Sequence, residues 1–553
     1  MLGKVISRSL DPQSFLFKPG FWQPAIITFT LSLIPYLLTL SPTITWKNGG
    51  VDSGELAVAS YYLGVAHPTG YPLYVLLGKL FTTLPWGDVA YRLNLMSAIL
   101  AASAAALLSA AIWILLVKGF SASRGLGSLA ATFSGLLFAY SPAFWSQAII
   151  AEVYALHILF LSAVIFLLFS LRYYTPRPRL VHFLTLGFVS GLAFSHHSTA
   201  VLAFPSVALY IIASNLRGYV LTTKWLLSGM AAFLCGLSPY LLILIRSNKA
   251  PEANWGAVDS LPSLFQHITG AVYRPLLLSP VELDAFQRVA SAARLLLEQY
   301  GWLGFVAAVI GLWYMALLDR RLLVFWVITF FSALVFAVSY SARDSEVHLL
   351  PIYLLVAISI GTGIAFVVTA IENWLFVPTI RRSRNRRGRG NTDKSNILDR
   401  RLTGFRSLYF PSVVLLCVLW LGWSVRTTAI KVDLSEDREA YNYAVATLDA
   451  LPSGAVILTN DDNHTFSLWY LQYVINYRRD VLVVDNRLLN WGWYHKNLKS
   501  LYPEVRLEGI SGTASERVQK FVQNNIDRFP VFSAYKPTLL KTEDIGPPFK
   551  VGQ

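Results

Sequence analysis

From Val51 to Tyr74 the chain reads VDSGELAVASYYLGVAHPTGYPLY, which puts two carboxylates, Asp52 and Glu55, and one imidazole, His67, in a single short stretch. Three residues apart on a helix, Asp52 and Glu55 share a face, where mutual repulsion can raise one pKa and leave a usable general base. The plainer reading is a helix start, with Asp52 or Ser53 as cap and Glu55 completing a capping box before Leu56. The chemical reading is favoured because the same stretch adds His67 and the turn HPTGYP, too rigid and too aromatic for a passive linker.

Other ionisable groups stand at the ends of apolar runs: Glu152 with His157 in AEVYALH, the pair His196 and His197 in GLAFSHHSTA, and Arg343 with Asp344, Glu346 and His348. Such groups at membrane depth are expensive and ordinarily have a partner or a task. Glu152 reads equally well as a helix cap, the histidines read as paired donors facing a cavity, and Arg343 reads as an anion clamp rather than a surface ion network. The chain has no Gly-rich nucleotide loop, P-loop, serine nucleophile elbow or His-Glu-x-x-His zinc motif. Soluble nucleotides are therefore poor candidates for a donor.

These residues need a frame, and composition says that it is a membrane one. Of 553 residues 55% are hydrophobic and 14% charged, where soluble domains carry roughly 25% charge. Eleven apolar stretches follow one another, near 21–41, 90–117, 126–142, 153–171, 182–195, 199–213, 225–245, 301–318, 322–340, 349–371 and 409–425. Lys4, Arg8 and Lys18 before the first place the N-terminus in the cytoplasm. Alternation then puts Lys118, Arg124, Arg172 to Arg179, Arg217, Lys224, Asp319 to Arg321 and Arg381 to Arg406 inside, and the first loop and the C-terminus outside. The two stretches around His196 fall short of the roughly 20 residues that cross alone and read as half-helices meeting within the protein.

The net charge of +15 is densest in RRSRNRRGRG, from Arg381 to Gly390. In a short inside loop this run fixes orientation and touches anionic headgroups, and nucleic acid is not the expected partner. Cys235 and Cys417 both fall in apolar stretches, so neither a disulfide framework nor a cysteine metal site is expected. After Val425 the chain turns polar, and two short apolar runs, AVILT from Ala455 and VLVVD from Val481, flank a helical stretch over Thr465 to Tyr477. That order predicts a parallel βαβ unit. Asp461 and Asp462, just after the first run, read as helix caps before they read as ligands. The expected architecture is a polytopic α-helical membrane protein, N-terminus in and C-terminus out. A membrane domain covers 1–425, with a first outer loop over 42–89 and a basic cytoplasmic loop over 372–408, and a small α/β domain covers 426–553.

The stretch DSGELAVASYYLGVAHPTGYPLYVLLGKLF resembles the hallmark of the DUF2723 family, to which the TMEM260-type protein O-mannosyltransferases belong, and AEVYALH, GLAFSHHSTAVLAFP, RSNKAPEANWGAV and, more weakly, NDDNHTFSLWYLQYV resemble it further. The resemblance implies a GT-C glycosyltransferase. Such an enzyme takes a sugar, mannose by this family, from a polyprenyl-phosphate carrier outside the cytoplasm and passes it to a hydroxyl of an exported protein, or of a lipid or cell-wall glycan. It implies an acidic catalytic residue in the first outer loop, here Asp52 as base with Glu55 orienting the acceptor or sharing a proton. His67, Glu152, His196, His197, Arg246 and Arg343 are the candidates for binding substrate and stabilising the leaving phosphate. A divalent metal at Asp52, Glu55 and Glu152 is a further option without a clear ligand set. A transporter or flippase is the rival class, but no inverted repeat supports it. If the orientation is right, a reporter fused after Gln553 is active outside, and a membrane-impermeant thiol reagent misses a cysteine placed at Ser383; the opposite pattern overturns the topology.

Overall fold

The computed structural model describes residues 20–175, 179–213, 223–277, 285–341, 345–387, 392–536 and 548–551, and over 375–407 the backbone course alone. Lys4, Arg8, Lys18, Arg217, Arg343, Asp344 and the end of the basic run, 388–390, lie outside the described residues.

Lipid offers no partner to backbone N–H and C=O groups, so long apolar runs must satisfy them internally as helices. Among the described residues seven segments are long and apolar enough to cross a membrane: Val89–Gly119, Tyr154–Tyr174, Thr223–Ser247, Phe286–Leu318, Arg320–Ser339, Glu346–Trp374 and Leu408–Val432. The other four expected stretches are helical but shorter: Gln23–Leu38, Arg124–Ala139, Leu180–His196 and Ser198–Ala213. The stretches on either side of His196 are thus separate short helices, broken at His197, whose backbone is extended. Where two spans meet closely, glycine makes room: a Cβ on Gly311 would lie 1.8 Å from the Ser359 carbonyl oxygen, and one on Gly363 2.0 Å from that of Ala307. The expected cytoplasmic loop over 372–408 is largely helical instead. One helix runs Leu350–Arg387 and the next Thr392–Val432, as arginine's good helix propensity allows.

Beyond Val432 the apolar runs shorten to strand length. β1 (Val456–Thr459), β2 (Leu482–Asp485), β3 (Val531–Ser533) and β4 (Phe549–Lys550) form one sheet in the order β2-β1-β3-β4. β2 and β3 run parallel to β1, and β4 antiparallel to β3. Val456 pairs with Leu482 and Thr459 with Asp485. Every residue of β1 and β2 is buried, which is why both runs are apolar up to their last residues, Thr459 and Asp485. The helix Asp462–Trp469 crosses between them, as the sequence predicts. Its cap is Asp461, whose side chain accepts from the His464 N–H at 2.8 Å, while Arg487 joins Asp462 to the buried Asp485. Both aspartates are therefore engaged in local structure.

The sheet layer packs against the segment over 42–89. Trp46 donates its Nε1–H to the Asn463 carbonyl (3.1 Å) and Ser467 Oγ (2.9 Å). Lys47 Nζ and Thr45 Oγ1 both bond the buried Asp437, at 3.0 and 2.5 Å, and Asn48 donates to the Val432 carbonyl at 3.0 Å. The helix Ser53–Tyr62 lies directly on the Asp462–Trp469 backbone, because Gly54 faces it: a Cβ there would sit 2.3 Å from the Phe466 oxygen. Gly54→Ala should therefore cost about 1–3 kcal/mol through overpacking, lowering the thermal unfolding midpoint in nanodiscs. Gly422→Ala, where nothing lies within 4 Å, should leave it in place; equal midpoints for the two variants would refute this contact.

Candidate active site

Asp52 ends a 3-10 turn, Lys47–Asp52, in which Asn48 (φ 57°) and Gly49 (φ 80°) adopt left-handed conformations. It stands at the N-cap of the Ser53–Tyr62 helix, yet its side chain makes no capping hydrogen bond, and Glu55 completes no capping box. The carboxylates are turned to another use. Glu55 is wholly buried, and both its oxygens go to His67: one accepts from the backbone N–H at 3.1 Å, the other lies 3.0 Å from Nδ1. The far nitrogen, Nε2, faces Asp52 Oδ2 at 3.7 Å, and the Asp52 side chain remains one-third exposed.

The order Asp52–His67–Glu55 corrects the expectation that two carboxylates perturb each other directly. An imidazole sits between them. Burial alone would make the His67 imidazolium more acidic, but the charges of Asp52 and Glu55, with Glu152 adding to them, outweigh it and hold its pKa at about 10. His67 is thus a cation across the physiological range, with Nδ1–H given to Glu55 and Nε2–H directed at Asp52. This arrangement orients Asp52 and leaves its open side to a reactant.

The turn carrying His67 is itself braced. His267 bonds the Ala66 carbonyl at 3.1 Å, Val65 N–H donates to Ala253 O at 2.8 Å, and the Trp255 ring lies 6.2 Å from the His67 ring. On the other side Tyr71 stacks edge-on at 5.2 Å and leads to a second group, with His197 5.8 Å away. His197 bonds Thr199 Oγ1 at 2.7 Å, and its ring stands 4.5 Å from His157 and 6.2 Å from His348. His157, His348 and Tyr154 form the polar end of a groove of about 670 Å³ whose remaining wall, including Leu161, Val207 and Phe325, is apolar.

The other expected residues divide. His196 is fully buried and spends Nε2 on the Val153 carbonyl at 2.9 Å, an architectural bond. Arg246 gives two donors to the carbonyls of Leu63 (2.7 Å) and Tyr62 (2.8 Å), so it caps the end of the Ser53–Tyr62 helix instead of meeting a phosphate, because the left-handed Leu63 leaves those carbonyls without helix partners. Glu152 is buried and acts on His67 through its charge. Arg343 lies outside the described residues. Asp52, Glu55 and Glu152 do not gather around a common point: among the described residues no three acidic, histidine or cysteine side chains are placed to hold a metal ion. The sequence marks His157 and His348 only as ionisable groups at span ends and does not single out Tyr71 or Trp255, although HPTGYP and NWGAV carry them.

His67 supplies a pH test. Its folded pKa lies above the unfolded value of about 6.5, so its stabilisation is complete below that pH and is lost as pH rises through about 10. The gap in thermal midpoint between wild type and His67→Gln should be widest near pH 6 and should shrink towards pH 10. A gap that does not change with pH would exclude the charged form.

With this geometry in view, the chain can be compared with known proteins. Residues 52–218 match the model of the protein O-mannosyl-transferase TMEM260 N-terminal domain, which begins at Asp52, and residues 440–508 match that of TMEM260-associated domain 2. Among whole proteins, the chain is 27% identical over 516 residues to the protein O-mannosyl-transferase TMEM260 of Mus musculus, covering 89% of this chain and 67% of that one. It is 23% identical over 521 residues to the protein O-mannosyl-transferase tmem260 of Dictyostelium discoideum, covering 88% and 60%. Among solved structures, ArnT from Cupriavidus metallidurans bound to undecaprenyl phosphate superposes with a TM-score of 0.52 at 14% identity, covering 84% of this chain and 91% of that chain. The Archaeoglobus fulgidus oligosaccharyltransferase in complex with Zn and sulfate gives 0.50 at 13% identity, covering 93% and 68%. At such identities the structural likeness speaks for the fold. The long apolar helices and the shared fold agree: this is an integral membrane protein with the GT-C fold, and its matched segments are similar to those of the TMEM260 proteins.

Proposed function

We propose that this chain is a glycosyltransferase that moves a sugar from a polyprenyl-phosphate carrier to a hydroxyl of a polypeptide, on the extracytoplasmic side of the membrane. The observation that carries this reading is the half-open carboxylate of Asp52, held by a buried His67–Glu55 pair and joined through Tyr71 and His197 to the polar end of an apolar groove between helices. The groove suits a prenyl tail, and its histidine end suits the phosphate. Mannose and a protein hydroxyl follow from what the TMEM260 relatives are named for. The outer side follows from the distribution of Lys and Arg among the short loops.

The chemistry is a single displacement. The acceptor oxygen attacks the anomeric carbon, its proton passes to Asp52, and the bond from that carbon to the carrier phosphate breaks with its electron pair leaving on the phosphate. His67 keeps Asp52 oriented, and Glu55 keeps His67 oriented and charged. Negative charge grows on the departing phosphate, so donors near it lower the barrier more than they tighten ground-state binding. His197, His157 and His348 supply such donors at the groove end, and Arg343 is the sequence's own candidate for a full positive charge. Buried at the far end of the triad from Asp52, Glu55 is a positioning residue here, not the base.

Purified protein in nanodiscs should glycosylate a serine- or threonine-bearing peptide from polyprenyl-phosphate mannose and do nothing with a nucleotide sugar alone. Asp52→Asn should lower the transfer rate by about 10² to 10⁴ without changing membrane insertion. Transfer near the wild-type rate by that variant would remove Asp52 as the base, and direct use of a nucleotide sugar would overturn the donor.

A further inference from the structure

A second cleft, of about 380 Å³, opens between the loop around Trp255 and the sheet layer. Trp255, Trp469, Tyr473 and Trp493 line it, with Asn254 and Asn497 among the polar residues, and Trp255 and Trp493 rings stand 5.2 Å apart. Nothing in the proposed chemistry uses it. Yet it is continuous with the site, because Trp255 is at once a wall of the cleft and the ring 6.2 Å from His67.

The polar atoms say what kind of ligand fits. A sugar ring offers hydroxyls all round and needs several open donors and acceptors to hold it. Here much of the polar lining is already engaged: Asn254 exchanges both side-chain bonds with Ser247, at 2.8 and 3.2 Å, Asn497 Nδ2 donates to the backbone carbonyl of Asn254 at 2.8 Å, and Glu252 pairs with Arg479 at 3.6 Å. The Trp255 Nε1–H is buried and has no acceptor among the described residues. Aromatic walls with one indole N–H to spare suit a flat apolar side chain beside a backbone carbonyl, the way aromatic grooves take extended or proline-rich chains.

We infer that this cleft is an acceptor subsite: it takes an aromatic or prolyl side chain from an extended stretch of the acceptor polypeptide, with Trp255 donating to a carbonyl of the same stretch. The inference rests on the proposed transfer to a polypeptide hydroxyl, and it adds a sequence preference to it. Ring-to-ring steps of 6.2 and 5.2 Å lead from His67 to Trp493. At ~3.3 Å per extended residue, that sets the anchor roughly three to five residues from the hydroxyl at Asp52.

Binding measured without donor separates this inference from the transfer reaction. Full-length protein in nanodiscs is titrated with fluorescent peptides that carry one serine and, three to five residues away, either phenylalanine, proline or alanine. Wild type should bind an anchored peptide about tenfold more tightly than its alanine version. Trp493→Ala should lose that difference, and Trp493→Phe should keep most of it. Equal binding of anchored and alanine peptides by wild type, which needs no variant to fold, would overturn the subsite. So would a Trp493→Ala protein that keeps the preference, or a mannose disaccharide that displaces the peptide from wild type. Anchor-dependent binding together with no transfer from any lipid-linked sugar would count against the proposed reaction and leave the subsite standing.

Discussion

Glu55 carries a carboxylate into a place without solvent, and the His67 imidazolium is what makes that tenable. A lone buried carboxylate costs several kcal/mol, and a partner with good hydrogen-bond geometry must offset it. His67 does so with two N–H groups, one from the backbone and one from the ring. The consequence is geometric. A helix at Ser53–Tyr62 and a turn more than ten residues later must meet at hydrogen-bond distance, so the rest of the first outer loop is arranged to bring them there. His267 and the Val65 bridge to the Trp255 loop hold the turn, and Arg246 closes the helix end. Asp52 inherits its position from this arrangement while keeping an open side.

The sheet layer takes part in the same constraint. Gly54 is one residue from Glu55 and lies on the Phe466 carbonyl, so a side chain there would push the helix off its seat. The ion pair of Lys47 with Asp437 and the Trp46 bonds tie the other end of the loop to the chain beyond the last span. Electrostatics near the membrane surface thus serve position first. The charged and polar groups at span ends fall into two kinds. Those used by architecture, such as Arg246 and His196, point their donors at backbone carbonyls. Those near the groove are grouped instead: His157 and His348 line it, and the His197 ring stands 4.5 Å from the first and 6.2 Å from the second.

Much of this was legible beforehand. The eleven apolar stretches are all helical, because lipid-length hydrophobic runs have few alternatives, and the βαβ unit was visible in two buried runs flanking a helix. Asp52, Glu55 and His67 were named from residue type and proximity in the chain, and they do come together. The roles inside the trio were not legible, since spacing alone puts both acids on one helix face and is silent about an imidazole folding back between them. Arg246 looked like an anion ligand for the same reason: a lone arginine in a polar loop does not reveal that a left-handed Leu63 leaves two carbonyls waiting for it. The basic stretch after 372 looked like a loop because it lies between two apolar spans, while its residues favour helix.

What the sequence determined by itself is what depends on near neighbours and on solvent. Hydrophobic run length dictates helices in lipid, and residue type and proximity in the chain put Asp52, Glu55 and His67 in one group. What only the tertiary structure decided depends on contacts hundreds of residues apart: the loop pinned through Asp437 and Phe466, Tyr71 linking two histidine groups, and Trp255 shared between the site and a second cleft. The physical reason is that local periodicity reflects the environment of each residue, whereas burial of a charge or a donor is settled by whichever partner the fold brings to it.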